Sequence, residues 1–413
     1  MFRFLTLILF SVSQISLPAQ EEQKFQSGSW GASLQRADGH FIAFNFDVSR
    51  VGLKNFIYIR NATERLKVDN IRIAGDSVWI GLPFFDSKIR AAFKGNDILE
   101  GWWIKRLKDH DQVMAFTARL NQGFRFSPSA GPARWNISGR WAVTFWSPSG
   151  LDSTAAVGEF VQKGNRVTGT FLHPTGDYRY LEGIVTGDSL KLSCFDGGHA
   201  YLFTAKIEGN QLLSGGLHYS GPTYKEQWTA KRDENARLPD EFSLTRLKAG
   251  QTRLDFSFRD INGKMVSIHD ARFQNKVVLV QIMGSWCPNC MDETHFLSRF
   301  YDSYRTKGVE IIGLAYERST DFARSQKSLR TFQQRFDVHY PLLITGVTDA
   351  DSMQTQKTLP QLENIEGFPT TIFISKTGEV AKIHTGFNGP ATGAHYEAEK
   401  QTFARIVDEL LAR

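Results

Sequence analysis

Two cysteines three positions apart are the residues of this chain best suited to carry out chemistry. They lie in Gly284-Ser-Trp-Cys-Pro-Asn-Cys290, between a buried apolar run and a stretch with helical spacing. A helix N-terminus stabilises a thiolate through unpaired backbone N–H groups and the helix dipole, so Cys287 is the candidate nucleophile. Pro288 suits the first helical position, and Cys290 is placed to attack a mixed disulfide made by Cys287. The pattern predicts a thiol–disulfide redox centre.

Three other interpretations of the pair are weaker. A zinc site needs four ligands, but the one other cysteine, Cys194, lies 93 residues before Cys287, and His295 alone does not complete a set. A structural disulfide across two intervening residues closes too small a loop to stabilise the fold much. Two thiols without a function are the third possibility. We therefore predict a redox pair that needs no metal and no bound cofactor.

Alternating strands and helices must hold the two cysteines in place. Residues 276–283 have the apolar composition of a buried strand, and helical spacing begins just after the pair. Similar patterns follow along the chain, with strands predicted at 309–316, 370–375 and 380–385 and helices at 289–304, 320–336 and 397–412. Because strands alternate with helices and the series ends in a β-hairpin, this region is predicted to be an α/β sheet with mixed strand direction.

A second motif supports the redox interpretation from a distance. Gly367-Phe-Pro-Thr-Thr371 opens the predicted strand at 370–375. Residues 251–413 resemble the thioredoxin-like proteins of the TlpA/ResA type, which are exported thiol-disulfide oxidoreductases. The resemblance is carried by this motif, by Trp286-Cys-Pro-Asn-Cys290 and by the strand at 276–280. The resemblance implies a C-terminal thioredoxin-like α/β fold and a CxxC dithiol that works without a cofactor.

The resemblance also implies roles for individual residues. Cys287 is the nucleophile and Cys290 the resolving thiol. Pro369 takes the cis form, which leaves the backbone of Phe368 free to pair with a substrate peptide. Glu293 matches an acidic residue that tunes proton transfer, and a solvated helix carboxylate is an equally open interpretation. The implied supporting residues are Trp286, Pro288, Glu293 and Pro369, and the implied substrate-binding residues are Phe368 and Thr370.

Some positions depart from the family pattern. Gln281 stands where thioredoxin has a buried aspartate, and an amide cannot accept a proton near neutral pH. Proton transfer from Cys290 would then depend on Glu293 or on Glu317, at the end of the next strand. His295 replaces a proline that is common in the family, and it is either a proton donor or an exposed helix histidine.

The first half of the chain has the composition of antiparallel β structure, with short alternating runs separated by turns. It repeats itself: Gly28-Ser-Trp30 recurs 111 residues later at Gly139-Arg-Trp141, and three further markers recur with offsets of 112 to 114 residues. We predict two copies of one β module, at 27–120 and 139–232, each a small barrel or sandwich of seven or eight strands. Residues 233–250 form a polar linker to the α/β region.

The purpose of the β modules is open at this point. Their Gly-x-Trp openings resemble those of lipocalin-like barrels, which would give a ligand cavity, but packed aromatic cores explain the same residues. Cys194 falls on a strand-like stretch and is predicted to be a small buried thiol. The expected fold class is multidomain, an antiparallel β tandem repeat followed by a thioredoxin-like domain.

The N-terminus and the charge balance bear on location and partners. Residues 1–19 have one cation, a short apolar run and an ending of small residues, which is typical of a secretory signal peptide. We therefore expect an exported, soluble protein, in the periplasm of a bacterium. The net charge of +6 is spread thinly, with no run of lysine or arginine, so nucleic acid is not an expected partner. The expected partners are disulfide-containing proteins and a membrane thiol-electron donor.

Two other functions compete with a disulfide reductase. A peroxidase of the peroxiredoxin type would share the fold, but it would carry proline and threonine where this chain has Val280 and Gly284. A ligand-binding or partner-binding β protein with an accessory redox domain is the second alternative.

Overall fold

The computed structural model describes residues 25–82, 86–107, 110–127 and 131–413. The predicted signal peptide at 1–19 lies outside these described residues. The described chain forms three β sheets, of which the third is flanked by helices. Within the same ranges no helix is long and apolar enough to cross a membrane.

The first sheet is an antiparallel meander of nine strands, counted over the described residues up to 127. Its strands are β1 (Gly28–Gln35), β2 (Phe41–Val51), β3 (Lys54–Asn61), β4 (Glu64–Val68), β5 (Asn70–Ala74), β6 (Ser77–Gly81), β7 (Ser87–Lys94), β8 (Ile98–Arg106) and β9 (Asp111–Leu120). The strand β1 pairs with both β2 and β9, and the sheet ends at β4 on one side and β5 on the other. Buried and exposed residues alternate along β7, as expected when one face covers a core.

The second sheet closes into a barrel. Its strands are β10 (Gly139–Trp146), β11 (Ser153–Lys163), β12 (Arg166–His173), β13 (Gly176–Asp177), β14 (Leu181–Thr186), β15 (Ser189–Phe195), β16 (Ala200–Glu208), β17 (Leu212–Ser220) and β18 (Tyr224–Arg232). Consecutive pairing runs from β10 through β12, β14 and on to β18, which returns to β10. The short β13 extends the edge of β12. Closure removes the unpaired strand edges that an open sheet would present.

Aromatic rings fill the cores of the two β units. Trp141 and Trp228 are fully buried in the barrel, where Phe171 lies 5.2 Å from Trp228 between ring centroids. In the first unit Trp30 stacks on Phe46. The buried tryptophans of the two β units therefore lie in packed aromatic cores, which was one of the two interpretations of the Gly-x-Trp motifs.

The third sheet has mixed strand direction and carries the redox motif. Its strands are β19 (Ser257–Asp260), β20 (Met265–Ser267), β21 (Val277–Met283), β22 (Val309–Ala315), β23 (Leu342–Ile344), β24 (Thr370–Ile374) and β25 (Val380–Thr385), and its helices are α1 (Pro288–Tyr304), α2 (Phe322–Phe336), α3 (Gln354–Thr358) and α4 (Ala394–Ala412). The central β21 pairs in parallel with β22 and antiparallel with β24. All seven residues of β21 are buried, as its apolar run predicts.

The predicted fold class is confirmed, with two β units followed by a thioredoxin-like α/β domain. Each β unit has nine strands over the described residues, more than the seven or eight expected, because β13 is a two-residue strand and the first unit divides one strand into β4 and β5. The strands of each unit fall inside the predicted segments 27–120 and 139–232. Where the domains themselves begin and end stays a prediction.

Candidate functional site

The redox pair lies where β21 ends and α1 begins. Cys287 is the N-cap of the helix and Pro288 is its first residue. The two cysteines form a disulfide, with their Cα atoms 5.2 Å apart, and the Cys290 N–H points at the Cys287 sulfur over 3.2 Å. Cys287 is 4% exposed while Cys290 is fully buried. Only the first sulfur is therefore open to a substrate, and the helix N-terminus favours its thiolate form.

The loop before β24 faces the pair. Its Phe368–Pro369 peptide bond is cis, as the resemblance implied. The Phe368 carbonyl oxygen lies 3.6 Å from the Cys287 sulfur. Thr370 is fully buried, and its hydroxyl donates to the Gly367 carbonyl oxygen over 2.8 Å. The Thr370 side chain thus braces the loop from the inside, and its part in substrate binding stays a prediction.

Trp286 covers the other side of the pair. Its indole N–H donates to the Tyr316 carbonyl oxygen over 2.8 Å, and its ring lies 5.6 Å from that of Phe368. The guanidinium of Arg318 lies over the indole at 4.8 Å, a cation–π contact. These contacts fix the indole between the redox pair and the loop after β22.

Glu293 is completely buried, so its interpretation as a solvated helix carboxylate is wrong. One carboxyl oxygen accepts from the Gln281 amide and the other from the Thr371 hydroxyl, both over 2.7 Å. Burial raises the pKa of Glu293 to about 8, against the opposing effect of the two hydrogen bonds. The Gln281 amide also lies 3.5 Å from the Cys290 carbonyl oxygen, so it links this carboxyl to the resolving cysteine.

Two further residues singled out in the sequence have clear surroundings. Glu317 is buried and accepts from the Ser285 N–H and hydroxyl over 2.8 and 2.7 Å. Burial raises the pKa of Glu317, and it anchors the turn that leads into the redox motif. His295 is half-buried, 6.3 Å from the Phe336 ring, which does not match its interpretation as an exposed helix histidine. Burial lowers the pKa of His295, which favours a neutral ring.

Sequence reasoning missed that the second β unit touches the redox pair. Residues 174–180, here called the 174–180 loop, leave the barrel and meet the redox domain. The Asn289 amide, between the two cysteines, donates to the Thr175 carbonyl oxygen over 3.2 Å. A Cβ atom on Gly367 would lie 2.3 Å from the Thr175 side chain, so the two loops are in close contact. The Gly389 N–H donates to Asp177 over 2.7 Å.

Arg179 ties all three units together from the end of the same loop. It is buried, and its guanidinium pairs with Asp292 in α1 over 2.7 Å and with Glu64 of the first unit over 2.9 Å. Asp196 approaches a third nitrogen at 3.6 Å. Asp292 is two residues after Cys290, so the helix that carries the redox pair is held by the β units. In the sequence, Arg179 carried no recognisable signal.

Other candidate chemistry is limited. In the described ranges no group of three or more histidine, cysteine and acidic side chains could hold a metal ion. Cys194 is fully buried in the barrel core, and burial raises the pKa of its thiol. It lies among apolar side chains, as predicted for a small hydrophobic residue.

The C-terminal domain is similar to known redox proteins. Residues 248–400 match the family model Redoxin. The thiol-disulfide oxidoreductase ResA of Halalkalibacterium halodurans is 26% identical over 140 residues, which is 34% of this chain and 69% of that protein. The thioredoxin-like protein YneN of Bacillus subtilis is 26% identical over the same length, covering 34% and 73%.

Solved structures also align with this part of the chain. A putative thiol:disulfide interchange protein DsbE from Chlorobium tepidum is 18% identical, covers 40% of this chain and 99% of that chain, and gives a TM-score of 0.31. A putative protein disulfide isomerase from Bacteroides thetaiotaomicron is 20% identical, covers 41% and 93%, and gives 0.31. Both β units lie before the Redoxin match begins. The resemblance of residues 251–413 to thioredoxin-like proteins is confirmed, because residues 248–400 match the Redoxin model and this part of the chain is similar to thiol-disulfide oxidoreductases.

Proposed function

We propose that the protein is a thiol-disulfide oxidoreductase that reduces protein disulfides through Cys287 and Cys290. One observation carries the proposal: a slightly exposed cysteine at a helix N-terminus lies 3.6 Å from the carbonyl oxygen of a cis-proline loop, with a buried cysteine one turn behind it. The names of its relatives agree with this chemistry.

The reaction starts from the reduced pair. The Cys287 thiolate attacks one sulfur of the substrate disulfide, a mixed disulfide forms, and the other substrate sulfur leaves as a thiolate that takes up a proton. Cys290 then loses its proton and attacks the Cys287 sulfur. The second substrate thiol is released and the Cys287–Cys290 disulfide remains. Two electrons pass from the protein to the substrate, and a thiol donor must restore the dithiol.

Glu293 is the group we assign to proton transfer at Cys290. Because its pKa is raised to about 8, its carboxyl changes charge in the range where thiols also titrate. The Gln281 amide donates to Glu293 and lies 3.5 Å from the Cys290 carbonyl oxygen, and this link between the carboxyl and the resolving cysteine supports the assignment. We expect Glu293→Gln to slow release of the mixed disulfide by about 100-fold or more, the typical effect of losing a positioned acid or base. A pH profile of that step that is unchanged in the variant would contradict the role.

The proposal also includes the cellular location of the protein and its partners. The sequence features of residues 1–19 support export to the periplasm of a bacterium. There the substrates are disulfide-containing proteins, and a membrane thiol-electron donor returns the electrons. The peroxidase and the ligand-binding alternatives have no comparable support, because the barrel interior around Trp141 and Trp228 is filled by aromatic rings and Val280 and Gly284 lack the peroxidase pattern.

Two matched variants test the proposal. Cys290→Ala should accumulate mixed disulfides with substrate proteins, because Cys287 can attack but nothing resolves the product. Cys287→Ala should accumulate none, because Cys290 is fully buried. Equal trapping by both variants, or trapping by neither, contradicts the mechanism. The reduction potential gives the direction: a value near about −270 mV indicates a reductase, and one near about −120 mV an oxidase.

A further inference from the structure

The surface beside the reactive sulfur is built from three segments of the redox domain. They are the first turn of α1, which begins directly after Cys287, the cis-proline loop, and residues 386–389 after β25. The Phe368 carbonyl oxygen lies 3.6 Å from the Cys287 sulfur. The Gly386 N–H donates to the Pro369 carbonyl oxygen over 2.8 Å, so the third segment adjoins the second. Because thiol–disulfide exchange depends on access to the attacking sulfur, a substrate must fit against this surface.

The 174–180 loop of the second β unit is packed against all three segments. The Asn289 amide, in the first turn of α1, donates to the Thr175 carbonyl oxygen over 3.2 Å. A Cβ atom on Gly386 would lie 2.5 Å from the Pro174 carbonyl oxygen. One on Gly367, in the cis-proline loop, would overlap the Thr175 side chain. The tip of the loop, Pro174 and Thr175, therefore leaves no space for a substrate on this side of the redox pair.

The loop is firmly held in this position. The His173 ring nitrogen Nδ1 lies 3.0 Å from the Thr175 hydroxyl at the base of the tip. Beyond the tip, the Asp177 carboxylate accepts from the Arg179 N–H over 2.6 Å and from the Gly389 N–H over 2.7 Å. The buried guanidinium of Arg179 is paired with α1 itself. Because both sides of the tip are anchored, the loop is a fixed wall of the site.

Burial around the redox pair is unequal on its two sides. Cys287 is only 4% exposed. On the side of the 174–180 loop, Pro369 and Gly386 are buried, whereas Trp286 and Phe368 are half-buried. A narrow segment can therefore approach the sulfur along the indole. A disulfide on a broad, flat surface would meet the tip before its sulfur reached Cys287, and such a clash is one way to exclude a substrate.

We propose that the 174–180 loop restricts the redox site to disulfides carried by narrow, flexible segments, with Thr175 as the specificity-determining residue. This inference rests on the proposed function and adds its substrate class: short peptides and extended segments of proteins, as opposed to disulfides on the flat face of a folded domain. The exchange reaction is the one given above. The second β unit is then a wall of the substrate site.

The test presents one disulfide in two settings. The first substrate is a short linear peptide joined by a disulfide to a second short peptide. The other is the same pair fused, at the residue beside one cysteine, to the cysteine-free folded domain ubiquitin. The full-length protein is reduced with dithiothreitol and freed of it, and the rate constant of thiol release is divided by that for dithiothreitol with the same substrate. We expect the free peptide to react at least about 10-fold faster, because a misplacement of about 1 Å can cost about 100-fold.

Variants of the tip separate its bulk from its hydrogen bonds. Pro174→Gly combined with Thr175→Gly removes both side chains, and the ratio of free to fused peptide should fall about 5-fold as the positional penalty is relieved. Thr175→Val keeps the size and loses the hydroxyl contact with His173, so it should keep the ratio. The matched control is Ala62→Gly with Thr63→Gly, at the tip 112 residues earlier, and it should also keep the ratio.

Because the readout is a ratio within one protein, a general loss of activity cancels. A ratio near one in the parent protein, no fall in the glycine pair, or an equal fall in the matched control overturns the inference. An equal fall in Thr175→Val overturns it too, since the hydroxyl and not the bulk of the tip would then set the ratio. If neither substrate is reduced, the proposed function fails together with the inference, whereas reduction of both at equal rates refutes the inference alone.

Discussion

The two β units share sequence markers at matching positions, yet the matching hairpin meets a different partner in each unit. In the first unit β3 turns through Ala62 and Thr63 into β4, with Asn61 opposite Glu64. In the second unit, 112 residues later, β12 turns through Pro174 and Thr175. Each hairpin tip contacts the unit that follows it in the chain.

The contacts of the two tips are specific. The Ala62 N–H donates to Glu182 of the second unit over 2.9 Å, and Glu64 pairs with Arg179 there. The later tip meets Asn289 and Gly367 of the redox domain. Matching hairpin tips of the two units thus each contact the unit that follows, and the tip of the second unit borders the reactive cysteine pair.

The return strands after these tips also differ. In the first unit the return strand is divided at Asp69, so that β4 pairs with β3 while β5 pairs with β6, and the sheet stays open. In the second unit β13 and β14 both pair with β12, and the residues between them form a bulge. Arg179 lies in this bulge with a left-handed φ of 60°. Bulges redirect a side chain, and here the guanidinium is directed at the helix of the redox pair.

The largest expected effect comes from removing that guanidinium. Arg179→Met leaves Asp292, Glu64 and Asp196 close together without their shared cation, and loss of one partner of a buried ion pair typically costs about 3–5 kcal/mol. Urea unfolding of the full chain measures the change. The position 112 residues earlier is Lys67, which is exposed, so Lys67→Met should change the free energy of unfolding by less than about 0.5 kcal/mol. Equal effects would mean that the two hairpins are equivalent after all.

A smaller effect is expected where the second tip meets the cis-proline loop. Gly367→Ala places a Cβ atom 2.3 Å from the Thr175 side chain, and such overpacking costs about 1–3 kcal/mol. Thr175→Gly removes the clashing atoms, so the double variant should recover much of the loss. Thr63, the matching residue of the first tip, is exposed, and Thr63→Gly should give no recovery with Gly367→Ala. Failure of Thr175→Gly to rescue would place the strain elsewhere.

Local patterns were enough to predict the redox domain. Three local patterns each determine structure within a few residues: the buried run of β21, the amphipathic spacing of α2 and the proline at the first position of α1. The structure confirms all three. The short β23 and α3 were missed because three or five residues carry too little periodicity. The position of β23 depends on its pairing with β19 and β22.

The surroundings of the site were much less predictable. Glu293 has the sequence position of a surface helix residue, and its burial depends on Gln281 and Thr371, which come from two other strands. The contact of Thr175 with Gly367 joins residues 192 positions apart. No local pattern contains this information, because it arises from how whole units dock.

The smallest effect is a pH dependence at the contact between the second unit and α4 of the redox domain. His395 of α4 bonds Glu159 of β11 over 3.0 Å, and this hydrogen bond raises the pKa of His395 above its ordinary value of 6.5. A raised pKa means that the pair stabilises the fold fully below pH 6.5 and loses this contribution as the pH rises through the folded value. Because the pair is partly exposed, the change should be at most about 0.5 kcal/mol. His395→Gln should flatten the fall in stability between about pH 6 and 8, which unfolding curves would detect. Asp47, which matches Glu159 in the first unit, pairs with Arg60 and not with a histidine, so Asp47→Asn should leave the pH profile unchanged.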